Sequence, residues 1–272
     1  MTDGVNTMTN FKLVIGAHMR VAHLVSAGML LVAVGARAGA QSAADHIALG
    51  DKEYVAMHAP AALEHYEAAL KEDPKSYDAL WKASRSAVDL GEFEKDDAKR
   101  DDYFKRGELY ARRAVEANPN DAEGHFNLAR ALGRNALTQS PRGRVKYASD
   151  VRNHALECLK LNPKHAGCLH VMGMWNAEVM RLNGFTRMIA KNFLGGKVFS
   201  SASWDEAKRY MEESVAADPE RITHRVDLAG VYRDTGDKAK ARAEWQAVMK
   251  LPNRDYNDRY YKGEADSGLR ST

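Results

Sequence analysis

Two four-residue spacings carry the chemistry most open to a ligand: Trp81 with Arg85, and Phe126 with Arg130. In a helix each ring then sits one turn before its guanidinium, on the same face. An aromatic face beside a guanidinium can hold an extended peptide and pair with a carboxylate. Lys82 and Asn127 follow the two rings and add donors, while Arg134, His170 and Met174 extend the set. Cys158 and Cys168 are the only cysteines and lie five residues either side of Pro163. They suit a disulfide across a tight turn, or two buried thiols acting as small apolar groups. His154, Cys158, Cys168 and His170 also offer metal-ligand atoms, and His154 and Cys158 are four apart. The C-x-x-C spacing of structural zinc sites is missing, so no metal is assigned. Walker, G-x-S-x-G, H-E-x-x-H and dinucleotide-binding glycine patterns are absent. The chain reads as non-enzymatic and without a cofactor.

Internal repetition supplies the frame for those side chains. Pro74, Pro119, Pro163, Pro219 and Pro252 mark it, and the first four follow Asp73, Asn118, Asn162 and Asp218. Proline disfavours helix at the residue before it, so each site reads as helix end, tight turn, helix start. The residue before Pro is then expected to cap the next helix. Counted from the third residue past each Pro, position 8 is Gly50, Ser84, Ala129, Gly173 and Ala229. Positions 20 and 27 are also mostly small, and position 24 is Tyr66, Ala111, Ala155, Met211 and Trp245. Small residues there let two helices approach closely. The expected fold is all-α, a right-handed superhelix of about five helical hairpins over residues 41–252. The first helix of each unit lines the concave face. Trp81, Arg85 and Asp89, then Phe126, Arg130 and Arg134, then His170, Met174 and Glu178 should point there.

This pattern resembles the tetratricopeptide (TPR) repeat, a 34-residue helix-turn-helix unit. The resemblance is carried by Gly50, Ala62, Tyr66, Ala69 and Pro74 at one end and by Ala229, Tyr232, Gly236, Ala241 and Trp245 at the other. Members that bind peptide C-termini use Lys and Asn in the groove. The Pro-to-Pro spacings of 45, 44, 56 and 33 leave extra residues in the middle units, at 92–106, 134–150 and 180–203. The first insertion reads as a solvated extension of a helix. In the second, Gln139-Ser140-Pro141 should open a helix that runs to about Leu161. In the third, Phe185, Met188, Ile189 and Phe193 follow helical spacing, so residues 185–194 form an amphipathic helix. It could be a lid, the lining for a lipid or small apolar ligand, or a membrane-surface helix.

His170, Met172, Gly173 and Trp175, then Arg187–Leu194, then Asp205-Glu206-Ala207, with Gly124-His125 upstream, carry a second likeness. They are similar to the regulator of microtubule dynamics family over about residues 73–264. That resemblance implies a TPR-like domain whose relatives associate with microtubules, organelle contacts and, in one branch, phospholipid.

Residues 1–40 resemble a cleaved export signal. Lys12 and Arg20 precede an uncharged apolar run over 21–36, and Ala38-Gly39-Ala40 closes it. Cleavage predicts a periplasmic protein with no stable membrane span; the alternative is an anchor through residues 21–36. Removing Lys12, Arg20, Arg37 and Asp3 takes 40 basic and 37 acidic residues to 37 and 36, a net charge of +1. That balance excludes nucleic acid as the partner. Residues 253–272 should cap the last repeat. The expected partner is a protein or peptide segment in the concave groove, with a lipid carrier as the rival reading.

Overall fold

The computed structural model describes residues 42–139, 141–182 and 198–271. The leader, Ser140 and the 185–194 segment therefore lie outside the described residues. Eleven α-helices are described: α1 (42–55), α2 (Ala59–Glu72), α3 (Tyr77–Glu92), α4 (Asp97–Ala117), α5 (Ala122–Thr138), α6 (Pro141–Leu161), α7 (Ala166–Arg181), α8 (Trp204–Ala217), α9 (Ile222–Asp234), α10 (Lys238–Lys250) and α11 (Asp258–Ser271). A short 3-10 turn, Val198–Ser201, precedes α8. None of the described helices is long and apolar enough to cross a membrane.

The Pro-containing turns set the rhythm, though not by the capping expected. Asp73, Asn118 and Asp218 each end a helix by donating their backbone N–H to Ala69, Ala114 and Ser214. The side chains of Asp73, Asn118 and Asn162 then accept the N–H two residues on, an Asx turn with Pro inside it. The next helix is capped three residues later, by Ser76, Asp121 and His165. The fixed φ of Pro holds a four-residue turn before the helix begins, which places the cap past the pre-Pro residue.

Consecutive helices pack as antiparallel hairpins, and α3 contacts α5 as α5 contacts α7, so the first helices of successive repeats lie side by side. Small residues make room for large ones. A Cβ at Gly50 would sit 2.5 Å from the Tyr66 ring, and one at Gly173 would sit 2.5 Å from Met211. Tyr66 and Met211 are fully buried in those gaps. Gly236, at φ +86°, lets the chain reverse between α9 and α10. In the last repeat Trp245 meets a helix beyond the hairpin: a Cβ at Gly268 of α11 would lie 2.5 Å from its ring. Thus α11 covers the apolar side of α10 and α9 with Tyr261, Ala265 and Leu269.

The segment before α11 also travels across the molecule. Asn257 Nδ2 donates to the Asp89 carbonyl at 2.8 Å, a contact spanning 168 residues. Phe93, just past α3, stacks on Tyr260 at 4.6 Å and meets Tyr261 edge-on at 5.1 Å. Asp258 steadies this segment by accepting the backbone N–H of Arg254 and Asp255. The two ends of the superhelix are therefore clasped together across its concave side.

Candidate functional site

Acidic residues at the end of α3 meet the arginines of α5, and the clasp joins the same group. Arg130 Nη2 pairs with Asp89 Oδ1 at 2.6 Å and Glu92 Oε2 at 3.3 Å. Arg134 pairs with Glu92 and donates to the Tyr261 hydroxyl. Asn257 adds a hydrogen bond to Glu92. Asp255 meets Arg221 at 2.8 Å and accepts from the Tyr54 hydroxyl at 3.5 Å, and the same hydroxyl donates to Asp89 at 3.2 Å. The result is a network around buried Asp89, with Tyr54, Glu92, Arg130, Arg221 and Asp255 partly buried. Burial opposes the charge on Arg130, yet the charge and hydrogen bond of Asp89 outweigh it and raise its pKa. Burial also raises the Asp255 carboxyl, against the opposing pull of Arg221. Burial pushes the Tyr261 hydroxyl up to about 12. The charges of Asp89, Glu92, Arg130 and Arg134 are thus paired within the protein.

The N-terminal end of the groove differs. Arg85 lies over the Tyr54 ring, with Cζ 3.4 Å from its centroid and 5.0 Å from that of Trp81. Its Nη2 reaches the Tyr66 hydroxyl at 3.5 Å, while its Nε is buried with no acceptor. Among the described residues Arg85 makes no ion pair. Lys82 is held by Asp51 at 2.7 Å, and the Trp81 indole N–H donates to Asp78. Tyr54, Trp81, Lys82 and Arg85 thus form a half-buried cationic corner floored by two rings.

The remaining candidates are engaged in packing. Phe126 occupies the space beside Gly167, where a Cβ would sit 2.4 Å from its ring, and contacts the His165 ring at 4.9 Å. Asn127 is 1% exposed and bonds its own helix at the Glu123 carbonyl, so it faces no groove. His170 pairs with Asp227 at 2.7 Å and stacks on His224, and Met174 packs against the C-terminal core. The two aromatic–guanidinium pairs that look equivalent in sequence therefore diverge. Tyr54, the ring beneath Arg85, stands at position 12 of the first repeat, a concave position by the same count, and that is the signal that marks it in the sequence. Glu92, Arg221 and Asp255 carry no such periodic mark.

Cys158 and Cys168 are joined as a disulfide with Cα atoms 6.4 Å apart, inside the usual span. Of the metal-ligand set considered from sequence, His154 turns away to His125, Nδ1 to Nδ1 at 3.0 Å, and His170 to Asp227. His165 takes their place beside the cysteines.

Residues 42–272 match the family profile of regulator of microtubule dynamics protein 1-3. Regulator of microtubule dynamics protein 1 of Bos taurus is 25% identical over 194 residues, covering 70% of this chain and 60% of that protein. Regulator of microtubule dynamics protein 3 of Xenopus laevis is 25% identical over 182 residues, 66% of this chain and 39% of its own. The chain thus spans about 60% of the length of the first of these relatives, and less of the second. Among solved structures, a thermophilic TPR protein of Thermus thermophilus superposes with a TM-score of 0.61 at 19% identity, covering 83% of this chain and 99% of that one. PilF of Pseudomonas aeruginosa superposes at 0.51 and 14% identity, over 86% and 93%. These likenesses establish an all-α, TPR-like superhelix.

Proposed function

The chain belongs to the regulator of microtubule dynamics protein family, and from that premise we propose that it is a non-catalytic, exported scaffold that binds a peptide or protein segment at the N-terminal end of its concave groove. The TPR-like fold suits a protein-binding scaffold. One observation carries the finer reading. Of the three nominated arginines, Arg85 has no carboxylate partner among the described residues and lies on a floor of Tyr54 and Trp81. A guanidinium held this way is poised for a carboxylate, and the rings can take the flanking side chain. Lys82 beside it is paired with Asp51 and lies 5.4 Å from the Trp81 ring, which leaves Arg85 as the unpaired cation of the corner. The segment recognised is therefore acidic or carboxyl-terminal. Export rests on the leader. A lipid carried by residues 185–194 concerns residues outside those described and gains no supporting observation.

Capture from a periplasmic extract tests the reading, comparing wild type with Arg85→Glu and Trp81→Ala. Loss of a partner with both variants supports it. An unchanged partner set overturns it.

A further inference from the structure

The turn between α6 and α7 gathers three soft ligands. Cys158 lies near the end of α6 and Cys168 at the start of α7, both fully buried. His165 closes the turn between them, its backbone N–H donating to the Asn162 carbonyl at 3.1 Å. Ligand atoms of Cys158, His165 and Cys168 all lie within 4.8 Å of one another. Tetrahedral zinc, with bonds of about 2.0–2.3 Å, holds its ligand atoms roughly 3.5–3.8 Å apart. Once the disulfide opens, the two sulfurs part to that spacing and His165 Nδ1 closes on them to meet one ion.

The protonation of His165 favours the same use. Its Nε2 lies 3.1 Å from Glu123 Oε1, and its Nδ1 accepts the Cys168 backbone N–H at 3.2 Å. An ionised carboxylate only accepts, so Nε2 carries the proton. Nδ1 keeps its lone pair on the side of the cysteines, where an ion would take the place of that cap hydrogen bond. Such carboxylate–imidazole pairs orient metal-bound histidines.

We propose that the reduced chain binds one zinc-class divalent cation through Cys158 Sγ, Cys168 Sγ and His165 Nδ1, and that this ion and the disulfide are alternative occupants of one site. A dithiol reductant supplies two electrons and two protons to the Sγ–Sγ bond and itself becomes a disulfide. The cation then displaces the two thiol protons and binds two thiolates and the neutral imidazole. The fourth position opens along the partly exposed edge of His165, whose side chain is 11% accessible. Reoxidation by a disulfide of higher potential releases the ion. The site is independent of the Arg85 corner.

The test is a cobalt(II) titration of the full chain, first oxidised, then reduced with a dithiol that is removed without air. Reduced protein is expected to take up one cobalt with thiolate-to-metal charge-transfer absorption, reversed by zinc; oxidised protein takes up none. Glu123→Gln leaves all three ligands in place and should weaken binding about 10–100-fold. His165→Ala should weaken it further, with helical circular dichroism monitored in each case. The proposal is overturned if reduced wild type gives no thiolate band, or if His165→Ala or the double Cys158→Ser/Cys168→Ser variant binds as tightly as wild type.

Discussion

Replacing Arg130 by Ala separates a ligand-contact role from a structural one. In the structure its side chain is 17% exposed, and it neutralises Asp89 and Glu92, whose side chains are 8% and 4% exposed. Removing it leaves buried Asp89 with the Tyr54 hydroxyl as hydrogen-bond partner and the more distant charge of Arg221, while Glu92 keeps Arg134 and Asn257. Breaking a buried ion pair from one side costs about 3–5 kcal/mol. For a chain of this size each kcal/mol moves the midpoint by about 2–4 °C, so thermal unfolding followed by helical circular dichroism should drop by roughly 6–20 °C. A double variant, Asp89→Asn with Arg130→Met, removes both charges and should recover much of that loss. A change below about 1 kcal/mol for Arg130→Ala would refute the network around Asp89 and return Arg130 to the groove surface as a free contact.

Arg85→Ala should behave in the opposite way: it removes no ion pair and should change urea-unfolding stability by less than about 1 kcal/mol. Burial, then the charges of His170 and Arg221, push the His224 imidazole well below its ordinary value. A base with a depressed native pKa contributes stability that is complete above about pH 6.5 and lost as pH falls, at up to ~1.4 kcal/mol per pH unit. His224→Gln should flatten that acid limb of a stability–pH curve. Cys158→Ser with Cys168→Ser should destabilise the oxidised protein by about 2–3 kcal/mol for a short closed loop, and non-reducing peptide mass mapping should find the linked pair in oxidised wild type. Gly268→Ala forces a Cβ into the Trp245 ring and should cost about 1–3 kcal/mol; hydrogen exchange should then rise in both α11 and the end of α3.

The repeat frame is readable in sequence because it rests on local rules that recur. Pro sets the turns, small residues admit the neighbouring helix, and Tyr66 or Met211 fills the gap they leave. The clasp is not readable because it is made once. Asn257 meets Asp89 across 168 residues, and no periodicity links them. Arg130 and Arg134, which share a face with Arg85 by spacing alone, are taken up by Asp89 and Glu92 of the preceding first helix, and the clasp adds Tyr261 and Asn257 to that group. Asn127 shows a related limit: it is buried, and its amide bonds the Glu123 carbonyl, while Lys82 at the same repeat position stays half-buried and reaches Asp51. His165 hid as a turn residue, since its role as helix cap depends on a turn four residues long.

Whether the Arg85 corner receives a carboxylate is settled by partner capture with Arg85→Glu, on protein whose thermal midpoint matches wild type. The captured carboxylate-bearing segment should be lost while the fold stands. Retention of the same partner at the same yield by a fully folded Arg85→Glu protein would rule the corner out as the binding site.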